Sequence, residues 1–305
     1  MGTYYSIKYV PNSEKLNAEK IEKDIDSILV DVNKKMSIFD KESEISRFNQ
    51  YKNTDWFNVS DDLFLVIKTA LEVSKDCGGV FDITVGPLVN LWGFGPMDKP
   101  YQVPNDEEIN ENRRIIGWQK LEIRENPKAI RKTIPKLYLD LAAIAKGFGV
   151  DKIAEYFESI EIKNYLVEIG GEVRTGGKNQ DADNWKIGIS TPDEISKIER
   201  VIKLENIAVA TSGDYWNYFE ENGVRYSHTI DPSTGRPITH KLASVSVINE
   251  SCMLADAYAT AINVLGPEKG FKFAEELNLS VFFIIRSDKE FIEKMTSSFK
   301  KYLVE

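Results

Sequence analysis

Residues 165–177 read YLVEIGGEVRTGG, and how this stretch folds decides the fold class. It reads as two strands pivoting on Gly170-Gly171, because paired glycines punctuate a chain that apolar residues hold extended on either side. A third strand, WKIGIS at 185–190, follows with no helix between. Upstream, KLYLD at 136–140 predicts a short strand running into a helix, AIAKGFGVDKIAEYF, with Val150, Ile153, Ala154 and Phe157 on its buried side. Strand after strand, without regular βαβ alternation, argues for α+β.

The same order holds farther out. TYYSIKYV at 3–10 alternates as a strand does, and residues 14–36 place Leu16, Ile21, Ile25, Ile28, Leu29, Val32 and Met36 on one helical face. DLFLVIKTALEVSKDCGG predicts a second helix, started by Ser60 or Asp61 and stopped by Gly78-Gly79. From Gly93 to Pro104 a long loop leads into an acidic helical stretch. Strand-like runs lie at 207–211, 224–230, 242–248 and 281–286, and SCMLADAYATAINVLGP is a helix capped by Ser251 and stopped by Gly266-Pro267. No repeat of fixed period is visible, and the 305 residues read as one domain, 1–305.

Composition narrows the functional classes. With 42% hydrophobic and 29% charged residues the chain is an ordinary globular protein, and its formal charge of −9 offers phosphates no basic stripe, which excludes non-specific nucleic-acid binding. An anionic ligand must therefore be met locally, by a metal or a few cations. Two histidines and two scattered cysteines exclude a soft-metal site, and Cys77 and Cys252 read as small buried hydrophobes. No P-loop, dinucleotide fingerprint or GxSxG elbow occurs.

Four stretches carry chemistry. Asp256 and Thr260, at i and i+4 among Ala255, Ala257, Ala259 and Ala261, put a carboxylate and a hydroxyl on one nearly bare helix face. Such a pair suits a hard cation such as Mg²⁺, which takes oxygen ligands; an exposed Asp with an incidental Thr is the plainer account. In DLAAIAKG, Asp140 can cap a helix whose free N–H groups favour an anion, with Lys146 one turn in. GGVFDITVGPLVNLWGFGP at 78–96 reads as a wall for a flat ring system, or as core strand and loop. SHTIDPSTGRP at 227–237 sets His228 beside a turn built by Asp231, Pro232 and Gly235, which gives its side chain a defined direction. Taken alone, that histidine is as well read as a structural one.

In order along the chain, MGTYYSIKY, MSIFDKESEISRFN, FDITVGPLVNLWGFGP, DLAAIAKGFGVDKIA, YLVEIGGEVRTGG, VATSGDYWNYFEENGVRYSHTIDPSTGRP and SVSVINESCMLADAYATAINVLG resemble the ApbE-type FAD:protein FMN transferases. The resemblance covers nearly the whole chain. It implies a single T-fold-related α+β unit with mixed sheets, helices packed on them, and FAD in a cleft formed by the strand-rich body with the segments around 36–40 and 78–96. It further implies an enzyme that binds FAD with Mg²⁺, cleaves the pyrophosphate and attaches FMN through a phosphoester to a threonine of an acceptor protein.

Residue by residue, the resemblance makes Asp256, Thr260 and the Ala143 carbonyl the metal ligands, and places Asp140, Lys146, Met1, Val80, Phe81, Asp82 and Ile230 on FAD. Phe39 stands where the family often has tyrosine and is expected to pack on the flavin. His228 falls in the block that carries the family's general base, a role an imidazole of pKa about 6.5 suits. The acceptor implied is a subunit of a membrane redox pump or reductase with an Asp-Gly-x-Ser/Thr-Gly-Ala/Ser-Thr motif. Two other activities compete: the same site using water, a FAD pyrophosphatase giving FMN and AMP, and a flavin-binding protein without turnover. The expected location is the outer face of the cell membrane as a lipoprotein if a signal segment precedes Met1, and cytoplasmic otherwise.

Overall fold

The strands read from YLVEIGGEVRTGG form and pair antiparallel, Ile169 opposite Glu172. Gly170 and Gly171 turn the chain at φ of 61° and 101°, backbone that side-chain-bearing residues rarely adopt. The computed structural model describes residues 2–13, 16–96, 101–192, 197–213, 217–288 and 290–304; Met1, with its implied flavin contact, lies outside the described residues.

In chain order the elements begin with β1 (Tyr5–Tyr9), α1 (Ala18–Met36), α2 (Glu44–Gln50), β2 (Phe57–Asn58), α3 (Asp61–Asp76), α4 (Gly86–Leu91), α5 (Asp106–Ile115), β3 (Leu121–Arg124) and β4 (Ala129–Lys132). There follow α6 (Ala145–Ser159), β5 (Tyr165–Ile169), β6 (Glu172–Gly176), β7 (Trp185–Ser190), β8 (Ile198–Leu204) and β9 (Ala208–Gly213). The last are β10 (Tyr218–Glu221), β11 (Val224–Ser227), β12 (Ile230–Asp231), β13 (Arg236–Pro237), β14 (Leu242–Asn249), α7 (Cys252–Glu276), β15 (Ser280–Arg286) and β16 (Phe291–Met295). This is the α+β class, and every named strand pair is antiparallel.

Two units share the chain: Met1–Val32, Ile144–Gly213 and Lys241–Glu305 form the first, Asn33–Ala143 and Asp214–His240 the second. The first is built on a seven-stranded sheet in the order β1-β5-β6-β9-β14-β15-β16. Side chains alternate across it, as a pleat requires. Tyr165, Val167 and Ile169 point toward Ile21 and Ile25 of α1 and Val150, Ile153 and Phe157 of α6, while Val245, Val247, Val281 and Phe283 meet α7 through Ala255, Ala259 and Ile262. Leu166, Val173, Phe282 and Ile284 face the other way, onto Trp185, Ile189, Ile202 and Leu204 of the β7–β8 hairpin and onto Phe299. The first unit is therefore layered, with helices on one face of the sheet and a hairpin on the other.

The second unit combines the three-stranded sheet β2-β4-β3, the ribbons β10–β11 and β12–β13, and helices α2 to α5. Leu88 and Trp92 from α4 and its end pack with Ile109 of α5, Ile116 and Ile230. Helix α3 buries Leu63, Val66, Ile67, Ala70 and Val73 and starts at Ser60, whose Oγ accepts the Leu63 N–H. Helix α7 is capped by Ser251 as expected, and its first segment ends at Gly266 (φ 78°), but a second begins at once with Pro267 and runs on to Glu276. Among the described residues no helix is long and apolar enough to cross a membrane.

Two expectations need correction. KLYLD is not a strand. Leu137 and Leu139 are buried on alternate positions, but among the described residues no strand pairs with them; the Asn49 side chain instead accepts the Leu139 N–H (2.8 Å) and donates to its carbonyl (2.8 Å). A side chain has taken the place of a strand's backbone. Residues 78–96 form turns and the short helix α4, with Pro87 in its first turn, rather than a strand.

Candidate active site

In the first unit, α6 and α7 cross where Gly147 meets Cys252. A Cβ on Gly147 would lie 2.4 Å from the Cys252 carbonyl oxygen, so only glycine allows the approach. The two helices then cap one another. Asp256 of α7 accepts the Gly147 N–H of α6 through Oδ2 (3.0 Å). Asp151 of α6 accepts the Cys252 N–H through Oδ1 and the Met253 N–H through Oδ2 (3.0 Å each), together with the Ser251 hydroxyl (2.8 Å). Each carboxylate sits at the other helix's N-terminus, where unpaired amides and the helix dipole favour negative charge. Arg174 of β6 completes the clamp, donating to Asp151 Oδ1 at 2.8 Å.

This crossing gathers three charged side chains. Lys146 Nζ donates to Glu172 Oε1 at 2.5 Å and lies 3.9 Å from Asp256 Oδ1. Glu172 is 1% exposed and Asp256 5%, so both carboxylates have lost their water. Burial pushes the Glu172 carboxyl up to about 8, against the pull of Lys146, and raises Asp256 in the same way. For Lys146, burial alone lowers the pKa; the Asp256 and Glu172 carboxylates overcome it and hold the ammonium above its ordinary value. Glu172 Oε2 is buried with no hydrogen-bond partner among the described residues.

Those oxygens fit a hard cation. Thr260 is half-buried one turn beyond Asp256 in α7. Asp256 Oδ1 is beyond hydrogen-bond reach of Lys146, and Glu172 Oε2 is orphaned, so anionic oxygen remains uncommitted in a site that burial makes costly for it. No three His, Cys, Asp or Glu side chains cluster as a metal site among the described residues. One or two carboxylates are nevertheless the usual protein share for Mg²⁺, which draws its other ligands from water, hydroxyls and phosphate.

In the second unit, His228 is half-buried at the end of β11. Its backbone N–H donates to the Asn217 carbonyl at 3.0 Å, and ring Nδ1 lies 3.0 Å from the same oxygen. In the tautomer in which Nδ1 donates there, Nε2 is the basic nitrogen. The Phe94 ring meets the imidazole edge-on, centroids 6.3 Å apart. The turn that follows is tied down: Asp231 Oδ1 accepts the Ser233 N–H (2.8 Å) and hydroxyl (2.7 Å), and Trp92 Nε1 donates to the Gly235 carbonyl (2.9 Å). Gly235 (φ 72°) sits so close to Ile109 and Arg113 that a Cβ would meet them at 2.7 and 2.9 Å. The direction that the sequence gives His228 is thus built from both sides.

The other second-unit candidates are placed as follows. Phe39 is 74% exposed, on a loop that Ser43 and Ser46 fasten by donating to the Ser37 carbonyl. Phe81 and Ile230 are buried, so their side chains belong to the core. Asp82 is also buried, and burial raises its pKa; its oxygens accept the Thr84 N–H (2.8 Å) and hydroxyl (2.7 Å) and the Trp118 N–H (3.0 Å). Val80 is half-buried in the turn before Phe81. Asp140 does not cap α6: that helix starts at Ala145, after Ile144 with no side-chain cap. The Asp140 carboxylate instead accepts the Ala142 N–H at 2.9 Å, while its own N–H donates to the Ile83 carbonyl at 2.7 Å, and desolvation raises its pKa. Ala143 lies in the turn so formed, and Lys146 is the second residue of α6 rather than one turn in.

Glu172, Asp151 and Asn217 escape a reading of the sequence. Asp151 had a signal: it stands inside the apolar stripe of α6, where a charge needs a partner. Asn217 had none, since a carbonyl partner across a hairpin leaves no mark on residue type.

Over nearly its whole length the chain is similar to known proteins. The ApbE family model matches residues 1–283. The FAD:protein FMN transferase of Vibrio cholerae is 47% identical over 304 residues, covering 99% of this chain and 90% of that protein. The FAD:protein FMN transferase of Haemophilus influenzae is 45% identical over 307 residues, covering 99% and 89%. Among solved structures, the flavin transferase ApbE from Vibrio cholerae superposes with a TM-score of 0.92 at 45% identity, covering 99% of this chain and 96% of that one.

Proposed function

Because the chain belongs to the ApbE family, we propose that it moves FMN from FAD to a threonine hydroxyl of an acceptor protein and releases AMP, with Mg²⁺ required. Flavin transfer with FAD as substrate follows from membership at this identity; the cation, the threonine and the AMP are the finer reading. The observation that carries it is the buried Lys146–Glu172–Asp256 group, which sets one ammonium against two carboxylates and leaves oxygen uncommitted.

In this reading Asp256, Thr260 and the Ala143 carbonyl hold the cation. When bound, a divalent ion neutralises the pyrophosphate and stabilises charge that develops at phosphorus. Lys146 meets a phosphate oxygen, with Glu172 fixing its direction. Phe39 offers its exposed ring to the flavin, and Val80, Phe81 and Asp82 contact FAD through backbone where their side chains are committed inward. Asp140 and Ile230 are further FAD contacts. His228 takes the threonine proton as the hydroxyl oxygen bonds to the phosphorus of the FMN half. The bond to the AMP oxygen breaks, and AMP leaves with the electron pair. General-base help of this kind contributes ~10²–10⁴-fold.

Product analysis tests the proposal. FAD and Mg²⁺ incubated with the enzyme alone are expected to stay intact, and AMP is expected only when an acceptor bearing the threonine motif is added. Stoichiometric free FMN and AMP without acceptor would mark a pyrophosphatase instead.

A further inference from the structure

Resting on the cation reading above, we infer that Glu172 is itself a ligand of the divalent cation, bound through Oε2. Glu172 opens β6 directly after the Gly170-Gly171 turn and is 1% exposed. Its Oε1 is satisfied by Lys146 at 2.5 Å, whereas Oε2 is equally buried and accepts nothing among the described residues. A buried acceptor left unmatched is costly, more so when charged, so folds keep few of them. If Glu172 served only to anchor Lys146, one oxygen would suffice and the second would gain nothing from burial.

Charge points the same way. One ammonium lies within 4 Å of both carboxylates, at 2.5 Å from Glu172 and 3.9 Å from Asp256. The ammonium balances one carboxylate; ionising the second, which burial opposes, leaves a negative charge that no other described side chain offsets by an ion pair. A hard divalent ion corrects that excess, and a second carboxylate suits a site otherwise made of one Asp, one Thr and a carbonyl.

The test is Mn²⁺ binding to the full chain without FAD, read from the electron paramagnetic resonance of the free ion. Glu172→Gln keeps an oxygen for Lys146 and is expected to weaken Mn²⁺ affinity at least tenfold. Lys146→Met removes a neighbouring positive charge and is expected to strengthen it. Glu172→Asp keeps the charge but withdraws the oxygen, so a ligating Glu172 predicts weakened binding there too, whereas a purely anchoring one predicts Glu172→Asp within twofold of the parent. That result would overturn the inference, as would weakened binding in Lys146→Met, which keeps the test decisive if the glutamine variant does not fold. Asp256→Ala separates the two layers of argument. Loss of Mn²⁺ there alone sinks only the role of Glu172; unchanged affinity in Asp256→Ala and Glu172→Gln sinks the cation site itself.

Discussion

Lys132 shows what a single residue's surroundings dictate. Its side chain is fully buried, with Nζ donating to the carbonyls of Phe48 (2.9 Å) and Leu137 (3.2 Å). Burial lowers its pKa from 10.5 to about 8, and Lys52 adds to the effect. Between those values the unfolded chain binds the extra proton, so stability rises as pH rises through that window and is lost on the way back down through 8. Lys132→Met should remove this dependence. In urea titrations the stability of the parent relative to the variant is expected to grow by about 1–3 kcal/mol from pH 7 to pH 10. A constant difference would show that the amine titrates normally. His228 belongs to the same scale: His228→Ala should keep FAD binding yet lose ~10²–10⁴-fold in transfer rate. His240 lies beyond the SHTIDPSTGRP stretch, and its replacement should leave the rate within a few-fold. Near-normal transfer by His228→Ala with weakened FAD binding would make the residue a binding group.

At the scale of elements, the crossing of α6 and α7 places Lys146 and Asp256. Asp151→Ala orphans three donors and leaves Arg174 without its partner at 2.8 Å, so chemical denaturation should show a loss of about 2–4 kcal/mol. A loss below about 0.5 kcal/mol would mean that the clamp is ornamental. Gly147→Ala should be at least as harmful, because the atom it meets is backbone and cannot turn aside.

These elements also mark how far the sequence could be read. Helices α1, α3 and the first part of α7 were legible from apolar spacing and caps, as were β5, β6, β14 and β15. The alternation in KLYLD was real, but no sequence pattern reveals that Asn49, some 90 residues earlier, replaces the partner strand. Asp140 failed as a cap because α6 starts only at Ala145, and the Gly147 amide in its first turn goes to Asp256, 109 residues later. Local chemistry predicts which groups want partners, and only the fold says which partner arrives. Thus the blocks around His228 and Asp256 were legible by resemblance, while Glu172 and Asp151 needed the third dimension.

For the whole molecule, the constraint set by a charge of −9 is met by concentration rather than by surface potential. Lys146 is the charged donor of the Lys146–Glu172–Asp256 group, and on the proposed reading a divalent ion supplies the rest. Chelation by EDTA should therefore abolish turnover while leaving the fold intact, and FAD with Mg²⁺ should raise the melting temperature more than either alone. Equal stabilisation by FAD in EDTA would detach the cation from substrate binding.

Group transfer to a protein hydroxyl leaves its mark in the intact mass of the acceptor. An acceptor domain bearing the threonine motif is incubated with the enzyme, FAD and Mg²⁺, beside a twin in which that threonine is valine. The parent acceptor is expected to gain the mass of one FMN joined as a phosphoester, placed on the threonine by fragmentation, and the valine twin to gain nothing. FAD consumed while both acceptors keep their original mass would contradict the transfer.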